Sequence, residues 1–216
     1  MPSRRPSRTE AGLRCNSCWM RTALCVCAEI PALKTDVRLV LLIHSHELKS
    51  TTNTGRLAVR AFANAEIRVR GRHGSPMNNE GLVAAGHQGL FLYPSEDAIE
   101  LSHDYIRSLR GPFSLIVPDG TWRQASKVAR REPGLANIQR VKLPEGKPSE
   151  YLLRLAPSLH SLSTIEAIAR AMGFLEGPET QAQLEKLFRT VVKRTLWSRG
   201  ALKTAQCREF LPEGLT

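Results

Sequence analysis

The sequence predicts an α/β fold, and three observations carry that prediction. Short apolar runs rich in branched residues recur at 37–43, 89–93 and 113–117, the composition of core strands. Stretches with helical spacing or capping signals lie between and after them, at 55–63, 100–110, 122–131, 165–172 and 180–197, so strands and helices alternate. The third observation is the junction at 113–131, FSLIVPDGTWRQASKVARR, where an apolar run stops at Pro118 and a helix pattern starts within four residues.

The chain has 216 residues, 42% of them hydrophobic, enough for one sizeable core. We read a small amino-terminal appendage over 1–33 and a main domain over 34–216. Lysine and arginine exceed aspartate and glutamate by 31 to 20, for a formal charge of +11 and a pI near 10.0. That balance favours a polyanionic partner, nucleic acid first. The first fourteen residues hold four arginines and no apolar stretch, and the longest apolar run is Leu39 to Ile43. A secretory signal and a membrane span are therefore not expected, and the expected compartment is the cytoplasm.

Cys15, Cys18, Cys25 and Cys27 fall within thirteen residues. In a reducing compartment such crowded thiolates repel unless a cation neutralises them, so a metal knuckle is expected, with zinc the chosen ion and an iron–sulfur cluster or free thiols the alternatives. Cys207 stands apart and reads as a plain thiol.

The 37–43 run is the first core strand, followed by a loop containing His44, His46 and Lys49. Asn53 or Thr54 can cap the helix that follows, and Gly55 allows close approach of a backbone or phosphate. Lys49, Arg56 and Arg60 are expected near the exposed mouth of the sheet. Residues 66–70 read as an edge strand and 71–81 as a loop. The 89–93 strand ends in Leu92-Tyr93-Pro94, at the same sheet edge as Asp119 if the strands run parallel. Thr121 and Gln124 form a capping box for a helix starting near Trp122. On that helix Trp122, Ala125 and Ala129 share the face expected to dock, while Arg123, Lys127 and Arg130 form a basic stripe suited to phosphate or plain solvent. Ser163 and Glu166 form a second capping box, with Glu166 also able to pair with Arg170. The last helix buries Leu184, Leu187, Phe188, Val191 and Val192 and exposes Lys186, Arg189 and Lys193.

Asp119 sits at the carboxyl end of a strand, where open α/β sheets bind ligands, beside a helix start whose N–H groups suit an anion. Its carboxylate is a candidate base or ligand; shaping the Asp-Gly turn is the plainer alternative.

Asp119-x-Thr121-Trp122 resembles the signature of the DTW-domain family of tRNA-uridine aminocarboxypropyltransferases. The four-cysteine cluster, Thr52-Asn53-Thr54-Gly55-Arg56-Leu57 and Leu162-Ser163-Thr164-Ile165-Glu166-Ala167 extend the resemblance, in family order, over roughly 15–175. Where the family often has His-Pro-x-Glu after its first strand, this chain reads His44-Ser45-His46-Glu47.

The resemblance implies a SPOUT-like fold: a mostly parallel sheet with helices on both faces, a carboxy-terminal knotted cofactor site and the zinc knuckle. It implies transfer of the 3-amino-3-carboxypropyl group of S-adenosylmethionine to N3 of a variable-loop tRNA uridine, releasing methylthioadenosine. Asp119, with Thr121 and Trp122, is then the catalytic group. Leu92, Tyr93, Pro94, Pro118, Leu162, Ser163, Thr164 and Glu166 are the expected cofactor contacts, with strand ends at Tyr93, Pro118 and Leu162 converging on one pocket. Lys49, Asn53, Thr54, Gly55, Arg56, Arg123 and Lys127 are the expected RNA contacts. A monomer and a homodimer are both compatible with the sequence. The rival readings are a SPOUT-type RNA methyltransferase and a non-catalytic zinc-knuckle RNA-binding protein.

Overall fold

The computed structural model describes residues 13–153 and 161–215. The basic residues 1–12 and the Lys49 side chain lie outside the described residues. Six strands form one sheet: β1 (Arg38–His44), β2 (Ala65–Arg70), β3 (Gln88–Leu92), β4 (Ile99–Glu100), β5 (Phe113–Asp119) and β6 (Gln139–Lys142). They lie in the order β2-β1-β5-β3-β6-β4, and every neighbouring pair is parallel. The helices are α1 (Gly55–Ala61), α2 (His103–Ser108), α3 (Trp122–Arg131), α4 (Thr164–Leu175) and α5 (Pro178–Ser198).

The centre of the sheet explains the apolar runs. Leu39 to Ile43 of β1 are all fully buried, because a parallel strand with neighbours on both edges must also be covered on both faces. Leu39, Leu41 and Ile43 pack toward Leu57 and Ala58 of α1, Ile165 and Ile168 of α4, and Leu187 of α5. Val40 and Leu42 pack the other way, with Ile116 of β5 and Val128 and Ala129 of α3. Helices therefore cover both faces, as expected.

The topology also fixes the place of the crevice. From β1 the chain passes through α1 to β2 on one side, whereas from adjacent β5 it passes through α3 toward β6 on the other. Beyond the carboxyl ends of β1 and β5 the connections diverge onto opposite faces, the switch point at which open α/β sheets bind ligands. Register places Ile43 beside Asp119 there.

The structure corrects several expectations. The helix expected over 100–110 is only His103–Ser108, and Ile99–Glu100 before it pairs with β6. Neither β4 nor β6 was legible: β6 buries only Val141, so it has no periodic signal. Leu162 ends no strand; it lies in irregular chain just before α4.

The amino-terminal segment shares the main core, since Cys18, Met20, Leu24 and Val26 are buried in the same cluster as α4 and α5. Arg194 of α5, only 3% exposed, ties it down. Its guanidinium donates to the Cys25 carbonyl at 2.5 Å and to the Glu29 carboxylate, and its Nε donates to the Phe210 carbonyl at 2.5 Å. One side chain thus fastens the cysteine segment and the carboxy-terminal turn to the same helix. Arg194→Met should lower stability by about 2–3 kcal/mol, because the carbonyls lose charged donors in a buried place while the partly exposed Glu29 can turn to water. Chemical denaturation checks this, and a midpoint equal to that of the native chain would refute it.

Candidate functional site

Asp119 is the last residue of β5 and only 4% exposed. Burying a carboxylate is costly unless donors meet its oxygens, and two remote segments supply them. Asn53 Nδ2 donates to Oδ2, and Thr164 Oγ1 donates to Oδ1 at 2.5 Å. Thr54 Oγ1 accepts from the Ile165 amide at 3.4 Å, joining the two donor segments. Residues separated by 45 to 111 positions thus meet at one carboxylate.

Local geometry explains the neighbouring residues. Gly120 has φ 146°, and a Cβ there would lie 2.6 Å from Gln124 Oε1, so the turn from strand to helix requires glycine. Gln124 is held because its oxygen accepts from the Thr121 amide at 2.7 Å while Thr121 Oγ1 accepts from the Gln124 amide at 3.3 Å. This is the expected capping box. Gly55 is needed for approach: a Cβ would come within 3.0 Å of the Asp119 carboxyl carbon. Thr54 occupies the N-cap position of α1 without a side-chain cap bond, and Asn53 one residue earlier supplies one, its Oδ1 accepting from the Arg56 amide at 3.1 Å.

Two cavities flank the turn. One, of about 380 Å³, is lined mostly by polar residues, among them Glu47, Asn53, Thr54, Asp119, Thr121, Ser163 and Thr164, with Arg123 exposed beside them. The other, of about 420 Å³, is lined by Leu92, Tyr93, Pro94, Pro118, Leu162 and Thr164. Gly120, Trp122, Leu162 and Thr164 belong to both. Tyr93 just after β3, Pro118 near the end of β5 and Leu162 before α4 therefore do converge on one cavity.

Trp122 departs from expectation. It is 45% exposed and forms the wall shared by the cavities instead of docking α3; Val128 and Ala129 dock that helix. Glu166 also departs, since it lines neither cavity. Its carboxylate is buried and accepts from the Ser163 amide, the Ser163 and Ser149 hydroxyls and the Glu150 amide at 2.7–2.9 Å. Arg170 donates instead to the Lys147 carbonyl at 2.7 Å. Arg56, expected to face phosphate, has its guanidinium 4.6 Å from the centroid of the Trp19 ring. Arg123 is exposed and Lys127 half-buried on α3.

Sequence reasoning missed Tyr151, whose hydroxyl donates to the Thr52 carbonyl at 2.6 Å on the wall of the polar cavity. It also missed Lys142, Lys147 and Arg170 around the apolar one. These residues come from β6, an irregular loop and the outer side of α4, where no residue pattern marks a site.

Away from the crevice, the four cysteines gather as their spacing suggested. Their sulfurs all lie within 4.8 Å of one another, with Cys15 to Cys27 at 3.7 Å and Cys18 to Cys25 at 3.6 Å. A tetrahedral zinc thiolate site has edges of about 3.8 Å, so the donor set fits a metal ion of that size. Backbone N–H groups of Cys18 and Ser17 pull the Cys15 thiol down to about 6, and burial pushes Cys25 up to about 12. Arg60 donates to Cys27 Sγ at 3.4 Å.

Comparison with known proteins agrees with this assembly. The model of the DTW domain matches residues 12–196. The tRNA-uridine aminocarboxypropyltransferase 2 of Drosophila melanogaster is 30% identical over 205 residues, spanning 92% of this chain and 80% of that protein. The protein of the same name from Macaca fascicularis is 28% identical over 167 residues, 75% of this chain but 56% of that protein. A solved structure, the SAM-dependent rRNA:acp-transferase Tsr3 from Vulcanisaeta distributa, aligns over 76% of this chain and 84% of its own, with 18% identity and a TM-score of 0.48. The family match covers the knuckle, the Asp119 crevice and both donor segments, and the chain belongs to the DTW domain family.

Proposed function

We propose that this protein transfers the 3-amino-3-carboxypropyl group of S-adenosylmethionine to N3 of a tRNA uridine in the variable loop, with methylthioadenosine as by-product. The observation that carries the reading is the buried Asp119 carboxylate, held by Asn53 and Thr164 on the wall of one cavity, with Gly120, Trp122 and Thr164 separating that cavity from a second. Two adjoining chambers, one of them walled by Asp119, suit a reaction that joins two substrates.

S-adenosylmethionine, when bound, supplies a carbon activated by the adjoining sulfonium. Leu92, Tyr93, Pro94, Pro118 and Leu162 suit an adenine ring in the apolar cavity, with Lys142, Lys147 and Arg170 near for its carboxylate. The polar cavity takes the uracil, with the exposed Trp122 ring as a face for stacking. Uridine N3 carries a proton at neutral pH. Asp119 accepts that proton as N3 forms its bond to carbon, the carbon–sulfur bond breaks, and its electron pair stays on sulfur. Amides at the starts of α3 and α4, with Arg123, favour the negative charge that develops on the uracil oxygens. Alignment of the groups contributes part of the rate, on the order of 7 kcal/mol in favourable cases. The resemblance extends to a knotted carboxy-terminal cofactor site; the cavity between the turns after β3 and β6 and the approach to α4 supports that placement. Among the described residues no helix is long and apolar enough to cross a membrane; we place the protein in the cytoplasm, acting as a monomer or homodimer.

Asp119→Asn is a clean test, since an amide can still accept from Asn53 and donate to the Thr164 hydroxyl. It should retain affinity for tRNA and S-adenosylmethionine while single-turnover transfer falls about 10²-fold or more. A near-native rate would reject the base role, and adenosylhomocysteine as the by-product would turn the reading toward a methyltransferase.

Binding of tRNA through the basic face of α3 should weaken steeply with salt. Reversing Arg123 and Lys127 together to Glu should lower tRNA affinity at least about tenfold at low salt; unchanged affinity would reject this interface.

The cysteine cluster is proposed to hold one structural zinc ion. Elemental analysis of the reduced protein should give one zinc per chain, and Cys18→Ser should lose both the metal and stability. Full stability without stoichiometric metal would count against it.

A further inference from the structure

Trp19 has φ 64°, and among the described residues it alone has a positive φ without being glycine. Bulky side chains rarely adopt that conformation, so the surrounding structure must impose it. The knuckle does so: the Trp19 amide donates to the Cys15 carbonyl, and the Cys15 amide to the Met20 carbonyl, both at 2.9 Å. Cys18 and Met20 on either side are buried. The turn thereby presents the indole ring to Arg56, whose guanidinium carbon lies 4.6 Å from the ring centroid.

Arg56 is the link to the crevice. Its Nη2 donates to the Ser50 carbonyl at 3.1 Å, and its amide donates to Asn53 Oδ1 at 3.1 Å. The Ser50 carbonyl and the indole face together hold the guanidinium against the knuckle, and its Nε is buried with no hydrogen-bond partner among the described residues. Burial pulls its pKa down while the Asp119 charge favours the cation. One turn further along α1, Arg60 reaches Cys27 Sγ, so the helix meets the cysteine cluster twice. Asn53, at the other end of this chain of contacts, donates to Asp119.

We propose that Trp19 and Arg56 are positioning residues for transfer: through them the cysteine knuckle holds the 50–54 loop and thereby Asn53 against the Asp119 carboxylate. Neither side chain lines either cavity. The basic side chain most naturally assigned to RNA from the sequence thus acts inside the protein. Guanidinium over indole is a directional contact that an aliphatic side chain cannot replace, and lysine lacks the flat face. The proposal rests on the transfer reading for its catalytic consequence alone.

The test compares Trp19→Leu, Trp19→Phe and Arg56→Lys by single-turnover transfer, KM for tRNA, metal content and amide hydrogen exchange. Trp19→Leu and Arg56→Lys should slow single turnover about tenfold or more, with KM for tRNA nearly unchanged and metal retained. Trp19→Phe, which keeps a ring face, should recover most of the rate. Exchange at the Ser50, Asn53 and Leu57 amides, hydrogen-bonded at 3.0–3.2 Å in the native chain, should accelerate by about tenfold in the two damaging variants. If Trp19→Leu loses metal, Arg56→Lys decides, since it lies outside the knuckle. Native rates and exchange in Arg56→Lys would overturn the proposal, as would a loss confined to tRNA affinity, which would return Arg56 to phosphate binding. Should the native protein show no aminocarboxypropyl transfer, the functional reading falls, and the exchange measurement still decides whether the knuckle holds the loop.

Discussion

A carboxylate at the carboxyl end of a central strand, removed from water, needs hydrogen-bond donors, and much of this molecule follows from supplying them to Asp119. Asn53 comes from the loop after β1 and Thr164 from the start of α4. For both to reach it, β1 must neighbour β5, α1 must begin close enough that Gly55 nearly touches the carboxyl group, and α4 must begin at the same edge. Each of those requirements also packs an apolar face onto the sheet. The polar contact and the core are therefore consistent with each other, which is how a sequence selects one structure.

The second organising feature is the wall between the cavities. Gly120 allows a turn tight enough for Trp122 to open α3, and the capping box fixes that start. An exposed tryptophan is uneconomical for stability alone, because burying its ring would contribute more than leaving it in solvent. Its ring instead lines both cavities, where the proposed transfer would use it as a stacking face. Glu166 shows the opposite case. A residue that looks chemical in sequence spends both oxygens on Ser149, Glu150 and Ser163, and thus shapes the site without entering it.

Charge in this protein is divided between structure and recognition. The excess of basic residues suggests a polyanion, yet Arg194 and Arg56 are spent internally, one fastening the cysteine segment to α5 and the other joining it to the crevice. Arginine suits both places because its planar, permanently charged group offers several donors and a stacking face. Arg123, beside the polar cavity, and Arg130 are exposed on α3 and are among the described basic residues open to a partner.

What the sequence determined by itself is what short-range chemistry encodes. The apolar runs specified β1, β3 and β5 because strands covered on both faces must be continuously hydrophobic; capping boxes marked the starts of α3 and α4; cysteine spacing specified the knuckle; and Asp119 was placed at a strand end by Pro118 and Gly120. Only the tertiary structure decided where side chains with two possible uses would go. Whether Arg56 meets phosphate or indole and whether Glu166 lines a pocket depend on groups distant in sequence, such as Trp19 for Arg56 and Ser149 and Glu150 for Glu166. No local pattern contains those partners. β6 stayed illegible for the same reason, since a four-residue strand with one buried side chain becomes a strand only because β3 and β4 offer it hydrogen bonds.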